Sequence, residues 1–528
     1  MADKFKPLDQ IQATDYSKFL QSKTAAIVVL LAFGIAQWFY AGVNDGFYQG
    51  EEGAHYINMK EFWENPGIIM GNWAKTGWKI FMVIPGLLGK NAVLAASIII
   101  SMATAWLCFL YTRTMGMRFP ILVIFLLMCQ TFWFSLAFRP ICEPTAAFFL
   151  ILACLLHQRT HLVWAALSFS YALTIRQELY IPGMIYGIYL LTQKNWRAAF
   201  SMATFPILYN LLGWWASGDP FYLFSNAFKA ADFANKYMRP GFDHYIQMSP
   251  LVFGWIGILS LSAYFIFLVS KKIKPDWIIL IPLLSYWFLE CLYSMKSFQI
   301  GAATAGNLRY LLVISPLVAV LGNYALDKAF EWNQRKPAWI VWTIFLGVMI
   351  YYNTYEHNYL EYGRFKDHIW KLMIPGCVFL VFYFIKIQNK FIYTLSLMGV
   401  CILSLVISQT PLKLSNRDEN STCKEIADYC LRFNYHEKRT IYQSMPMFAY
   451  FIDRTPKDFP KGLHLITEEN LLKSPVGSII IWDSHYAANY GPVDYTWFED
   501  RPDKFLAKIQ TESPDKKVDF IIYERINQ

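Results

Sequence analysis

The segment NDGFYQGEEGAHYINMKEFWENP brings Asp45, Glu51 and Glu52 together just after an apolar run. A carboxylate in such a place can take the proton of a weak nucleophile such as a hydroxyl. Beyond these acids Tyr56, Met59 and Phe62 or Trp63 recur at helical spacing, with Lys60, Glu61 and Glu64 on the other side. That pattern predicts an amphipathic helix lying on an interface. A plainer reading makes Glu51 and Glu52 caps of that helix, whose N-terminus favours negative charge. His55 follows Glu51 by four residues and Glu52 by three, a spacing that shares one helical face, so a divalent metal ion is a candidate ligand. A hydrogen-bonded structural histidine is the alternative, because no second ligand cluster is visible.

Three further groups of charges stand at the ends of apolar runs: Arg139 with Glu143, Arg176 with Glu178, and Arg309 with Lys296. Ionisable side chains facing lipid are costly, which makes each group a functional candidate. Snorkelling to headgroups or a structural ion pair is the competing explanation. No P-loop, dinucleotide fingerprint or serine elbow is present.

These residues need a membrane to hold them. The 528 residues are 55% hydrophobic and 16% charged, too apolar for an ordinary soluble enzyme or a disordered chain. The net charge of +9 lies in short clusters between apolar runs, which excludes nucleic acid as a partner and marks loop orientation instead. About thirteen transmembrane helices are predicted, the first over AAIVVLLAFGIAQWFYAGV and the others near 86–112, 119–138, 143–157, 161–176, 180–193, 197–215, 250–270, 276–294, 309–326, 338–352, 372–386 and 391–410. The short basic turns read as cytoplasmic and the longer acidic loops, including 44–85, as outward. Residues 1–410 then form a transmembrane domain with a cytoplasmic N-terminus. The tail, 411–528, holds 16 basic and 18 acidic residues against 31 and 20 before it, and alternates apolar runs with polar segments. It reads as an extracytoplasmic α/β or α+β domain. Of nine cysteines, only Cys423 and Cys430 stand close in the tail, and on one helix they would lie about 10 Å apart, beyond disulfide reach.

The order of parts resembles the C-type (GT-C) membrane glycosyltransferases, and within them the aminoarabinose and mannosyl transferase group. The resemblance rests on a first helix, an outward loop with paired acids followed by Tyr56, many spans, and an outward soluble domain. PGLLGKNAVLAASIII, LTIRQELYIPG, WASGDPFYLF and AGNLRYLLVISPLVAVL add to it. The family pair is usually Asp-Glu or Asp-Asp, whereas this chain has Glu51-Glu52. The resemblance implies transfer of a hexosyl or pentosyl group from a polyprenyl-phosphate-linked donor to a glycan, lipid or protein acceptor. It makes Glu51 the base, with Glu52 and Asp45 beside it, Arg309, Arg176 and Lys296 the donor-phosphate ligands, and Arg139, Glu143, Glu178, His55 and Tyr56 supporting residues. A bacterial cytoplasmic membrane is the expected location, with membrane lipids as partners. A transporter or flippase of a lipid-linked glycan and a non-catalytic lipid-binding scaffold are the rival readings.

Overall fold

A computed structural model describes residues 21–43, 50–70, 75–227, 239–297, 306–331, 374, 376–378, 387–409, 418–490 and 493–528. It is mostly helical, with one small sheet. Among the described residues five helices are long and apolar enough to cross a bilayer: Lys23–Gly42, Lys90–Thr114, Ser249–Val269, Leu308–Glu331 and Lys390–Ile407. Four shorter apolar helices accompany them, Thr76–Leu88, Glu143–Gln158, Leu162–Leu173 and Trp277–Tyr293. The expected span 338–352 and most of 372–386 lie outside the described residues.

The described residues of the chain divide into two compact units. One draws on Met1–Tyr40, Met70–Ile80 and Ala95–Lys413. Its helices are less regular than hydropathy predicts. The expected span 119–138 is two short buried helices, Leu122–Met128 and Thr131–Leu136, parted at an extended Gln130. Apolar surroundings leave interrupted backbone no water to bond, so side chains must answer it. Gln130 Nε2 donates to the Ser315 carbonyl at 3.1 Å, and Gln37 Nε2 to that of Phe134 at 3.1 Å. Helix Ser249–Val269 is broken at Gly254, whose φ of 69° and ψ of 160° suit only glycine. A Cβ there would stand 3.8 Å from Thr131 Oγ1, so these two interruptions are neighbours. A third irregular stretch, the 3₁₀ turn Leu308–Ile314, precedes helix Ser315–Glu331 and carries Arg309.

The other unit draws on Ala41–Ile69, Phe81–Leu94 and Leu414–Gln528, so the helix Gly50–Glu61 belongs with the tail. The tail sheet has the order β2-β1-β3-β5-β4, with β1 Ile441–Gln443, β2 Leu463–His464, β3 Ile479–Asp483, β4 Phe505–Glu512 and β5 Asp519–Arg525. β1 pairs parallel with β2 and β3, and β5 pairs antiparallel with β3 and β4. Central β3, IIIWD, is buried along its length, as a strand covered on both faces should be. Ile480, Trp482, Phe498, Phe505, Ile521 and Tyr523 form the core around it. Cys423 and Cys430 are buried and unbridged on helix Asp418–Arg432.

Helix Gly50–Glu61 packs on tail helix Pro446–Ile452 through glycine. A Cβ on Gly53 would collide with Met447 Sδ and come within 3.1 Å of Tyr450 Cβ. The approach therefore needs a bare backbone on that face. Glu52, His55, Tyr56, Ile57, Met59 and Glu61 are all buried, so the helix is enclosed on more than the one apolar stripe expected of an interfacial helix.

Two outcomes are expected. Gly53→Leu overpacks this contact and lowers unfolding stability by about 1–3 kcal/mol, and Met447→Ala on top of it restores part of the loss in thermal melts. Burial pushes the Asp483 carboxyl up to about 6 from 3.8. The folded tail then holds a proton that the unfolded chain has released, so stability is fully present below pH 4 and is lost as pH rises to 6. Melts at pH 4, 5, 6 and 7 should show Asp483→Asn gaining on the wild type across that window by about 3 kcal/mol.

Candidate functional site

In the unit that carries the tail, Glu51 and Glu52 lie in the first turn of helix Gly50–Glu61, where unpaired backbone N–H groups favour negative charge. Glu51 is half-buried and Glu52 is 1% exposed. The helix is gripped along its length. Tyr56 Oη donates to Asp453 Oδ1 at 3.2 Å, and Lys60 Nζ donates to the Asp453 carbonyl at 3.0 Å and to its Oδ1 at 3.2 Å. Burial and the Asp453 charge both push the Tyr56 hydroxyl up, so it remains a donor. Lys90 Nζ donates to the Tyr450 carbonyl at 3.2 Å and lies 4.1 Å from that ring's centroid. Trp63 Nε1 donates to the Val83 carbonyl at 3.1 Å. His55 is buried on this helix. Among the described residues no three His, Cys, Asp or Glu side chains gather into a metal-binding group. Asp45 lies outside the described residues.

In the other unit a buried ion network forms around Arg176. Its guanidinium meets Glu178 through two nitrogens at 3.1 Å each, Glu143 Oε1 at 3.1 Å, and Glu290 Oε1 at 4.0 Å. The same Glu143 oxygen lies 3.4 Å from Arg309 Nε, an ion-pair contact. Arg176 also stacks on Tyr310, 4.1 Å from the ring centroid, and Tyr286 Oη donates to the Tyr310 carbonyl at 3.3 Å.

Each member has a local reason for its place. Glu143 opens helix Glu143–Gln158, with Pro144 suited to the first turn. Arg176 is extended between helix Leu162–Leu173 and the turn Gln177–Leu179. Arg309 sits in the 3₁₀ turn whose cap, Asn307, accepts the Arg309 N–H. Burial works to raise the Glu178 carboxyl, but Arg176, Lys75 and the backbone hold it below its ordinary value.

The expected residues therefore divide. Glu143, Arg176, Glu178 and Arg309 come together, and Glu51, Glu52, His55 and Tyr56 share one helix. Arg139 is buried and donates from Nε to the Ser135 carbonyl at 3.0 Å on its own turn. Lys296 is exposed. Two residues escaped the sequence reading: Glu290, fully buried near the end of helix Trp277–Tyr293, and Lys79, fully buried on helix Thr76–Leu88. Each is a lone charge inside an apolar helix, which is itself a signal of function.

The network can hold charge without water. Arg309, at 9% exposure, is more accessible than Arg176 at 2%. An anion reaching Arg309 would find a guanidinium already oriented by Glu143, which is how a phosphate is bound by charge-assisted hydrogen bonds.

No protein-family model matches the chain, and no curated protein sequence matches it. Its fold is that of ArnT from Cupriavidus metallidurans. The structure of that protein bound to undecaprenyl phosphate aligns with a TM-score of 0.61 at 11% identity, covering 95% of this chain and 98% of the other. Its apo structure aligns with a TM-score of 0.60 at 10% identity, covering 94% and 98%.

Removing Glu143 leaves two buried guanidinium groups short of a partner, a change that costs about 3–5 kcal/mol in buried pairs. Glu143→Ala is expected to lose that much in thermal unfolding of the detergent-solubilised protein. Asp453→Ala, which breaks a partly exposed pair with Lys60, should lose about 1 kcal/mol or less from that pair.

Proposed function

We propose that this protein is an integral membrane glycosyltransferase that moves a hexosyl or pentosyl group from a polyprenyl-phosphate donor to a hydroxyl or amine of an envelope glycan, lipid or protein at the outer face of a bacterial inner membrane. The observation that carries the reading is a fold shared over nearly the whole chain with a protein whose structure holds undecaprenyl phosphate. The paired acids and the buried arginines support it from chemistry.

In this reading residues 1–410 are the transmembrane domain, with the N-terminus cytoplasmic, and 411–528 the extracytoplasmic one. Glu51 takes the acceptor proton while the acceptor oxygen or nitrogen attacks the anomeric carbon. The bond from that carbon to the phosphate oxygen breaks, and its electron pair leaves with the polyprenyl phosphate. A phosphate leaving group needs charge stabilisation more than a proton, which is the part given to Arg309. Arg176 acts on the same charge and orders Arg309 through their shared Glu143, while Lys296 supplies a more exposed cation. Glu52 and Asp45 are the alternative acids, and Tyr56 and His55 support the helix that bears the base.

A second reading, passage of a lipid-linked glycan, draws on the interruptions at Gln130 and Gly254, since broken helices recur in transporters. One assay separates the two. Purified wild type is offered a panel of polyprenyl-phosphate sugars with envelope extract as acceptor, and released polyprenyl phosphate is measured. Release by wild type, reduced about 10²–10⁴-fold in Glu51→Gln, is expected from transfer. Arg309→Ala should lower release about 10–100-fold, the value of one charged hydrogen bond. No release from any donor overturns the transfer reading, and full activity of Glu51→Gln overturns that base.

A further inference from the structure

The tail sheet has a topological switch. From β1 the chain runs through helix Pro446–Ile452 to β2 on one side, and from β3 it continues to β4 and β5 on the other. Connections that diverge from neighbouring parallel strands leave a crevice beyond the strands' carboxyl ends, where open α/β sheets bind ligands.

That crevice is built of polar groups held in place. Asp483 ends β3, and its carboxylate accepts the backbone N–H of His485 at 3.0 Å, of Tyr486, and of Ala487 at 3.4 Å. Glu419, on helix Asp418–Arg432, accepts from His485 Nδ1 at 2.7 Å, which orients the ring and assigns that nitrogen its proton. The Glu419 side chain is 10% exposed and that of His485 33%, so the acid is the support and the imidazole is the face presented to solvent. The His485 and Tyr486 rings lie 4.2 Å apart, tilted by 37°.

The crevice also receives the start of the acid-bearing helix. A Cβ on Gly50 would stand 2.8 Å from Tyr486 Oη and 3.6 Å from Pro446, so the residue before Glu51 lies between the exits of β3 and β1. The charges argue against a phosphate here, because Glu419 and Asp483 are acids. A neutral hydroxylated ring fits instead: aromatic faces suit its C–H surface and a fixed imidazole suits one hydroxyl.

We propose that the crevice at the ends of β1 and β3 is the acceptor subsite, in which His485, oriented by Glu419, hydrogen-bonds a hydroxyl of the acceptor sugar while Tyr486 packs against its ring. This rests on the glycosyl-transfer reading, and it supplies that reading with a way of bringing a hydroxyl to Glu51.

The test uses the full-length solubilised protein, a polyprenyl-phosphate donor bearing a labelled sugar, and crude envelope extract as the acceptor probe. The apparent KM for extract is expected to rise about tenfold in His485→Asn and in Glu419→Gln while the KM for donor keeps its wild-type value, a tenfold change being the scale of one hydrogen bond. Tyr486→Leu keeps the bulk and removes the aromatic face, and it should shift the same constant if His485→Asn fails to fold. An unchanged acceptor KM in all folded variants overturns the subsite and leaves the transfer reading standing. Equal changes in donor and acceptor KM overturn it as well, since the dyad would then be structural. A wild type that releases no polyprenyl phosphate overturns the transfer reading and this inference with it.

Discussion

A charge enclosed away from water has to be met by an opposite charge, and here one carboxylate meets two. Glu143 accepts from Arg176 and lies in ion-pair contact with Arg309, and Arg176 also holds Glu178 at contact and Glu290 at 4.0 Å. Through these bonds the start of one helix, an extended link, a 3₁₀ turn and the end of another helix are tied to one point. The attraction is strong because the surroundings are apolar, and for the same reason no member can leave without stranding its neighbours. Arg309 is the more accessible of the two arginines that Glu143 meets.

The second unit answers a different constraint, close approach of backbones. Gly50 and Gly53 let helix Gly50–Glu61 come down on Tyr486, Pro446, Met447 and Tyr450, where any side chain would hold it off. Asp453 then receives Tyr56 and Lys60 from the same helix, one turn apart. Packing supplies the position and the polar clasp supplies the register. Glu51 and Glu52 are thus carried by an element packed on the tail, and the tail helps to form their surroundings.

Much of this was legible in the chain. Apolar runs located the long helices, whereas the unit that holds the tail sheet also takes in Ala41–Ile69 and Phe81–Leu94, segments far from it in the chain. Arg176 and Glu178, two residues apart, meet because the backbone is extended at Arg176, where a helix would turn them to different faces. Arg139 and Glu143, four apart, were matched for the same nearness without that result. The chain turns between Leu136 and Glu143, so Arg139 bonds back to Ser135 while Glu143 opens a new helix and faces Arg176 and Arg309. Glu290 falls inside the expected span 276–294 and Lys79 inside the expected loop 44–85, so neither stood at a boundary between an apolar run and a loop, where charge draws notice.

Apolar periodicity, helix-terminal charge and the glycines of GEEG are properties of short segments, so the elements and the candidate acids could be read from residue order alone. Which carboxylate receives which guanidinium, which helix meets the bare faces of Gly50 and Gly53, and that His485 is oriented by Glu419 depend on residues scores of positions apart. Pairings of that kind are chosen by the packing that excludes water from both partners at once, and only the folded chain contains that information.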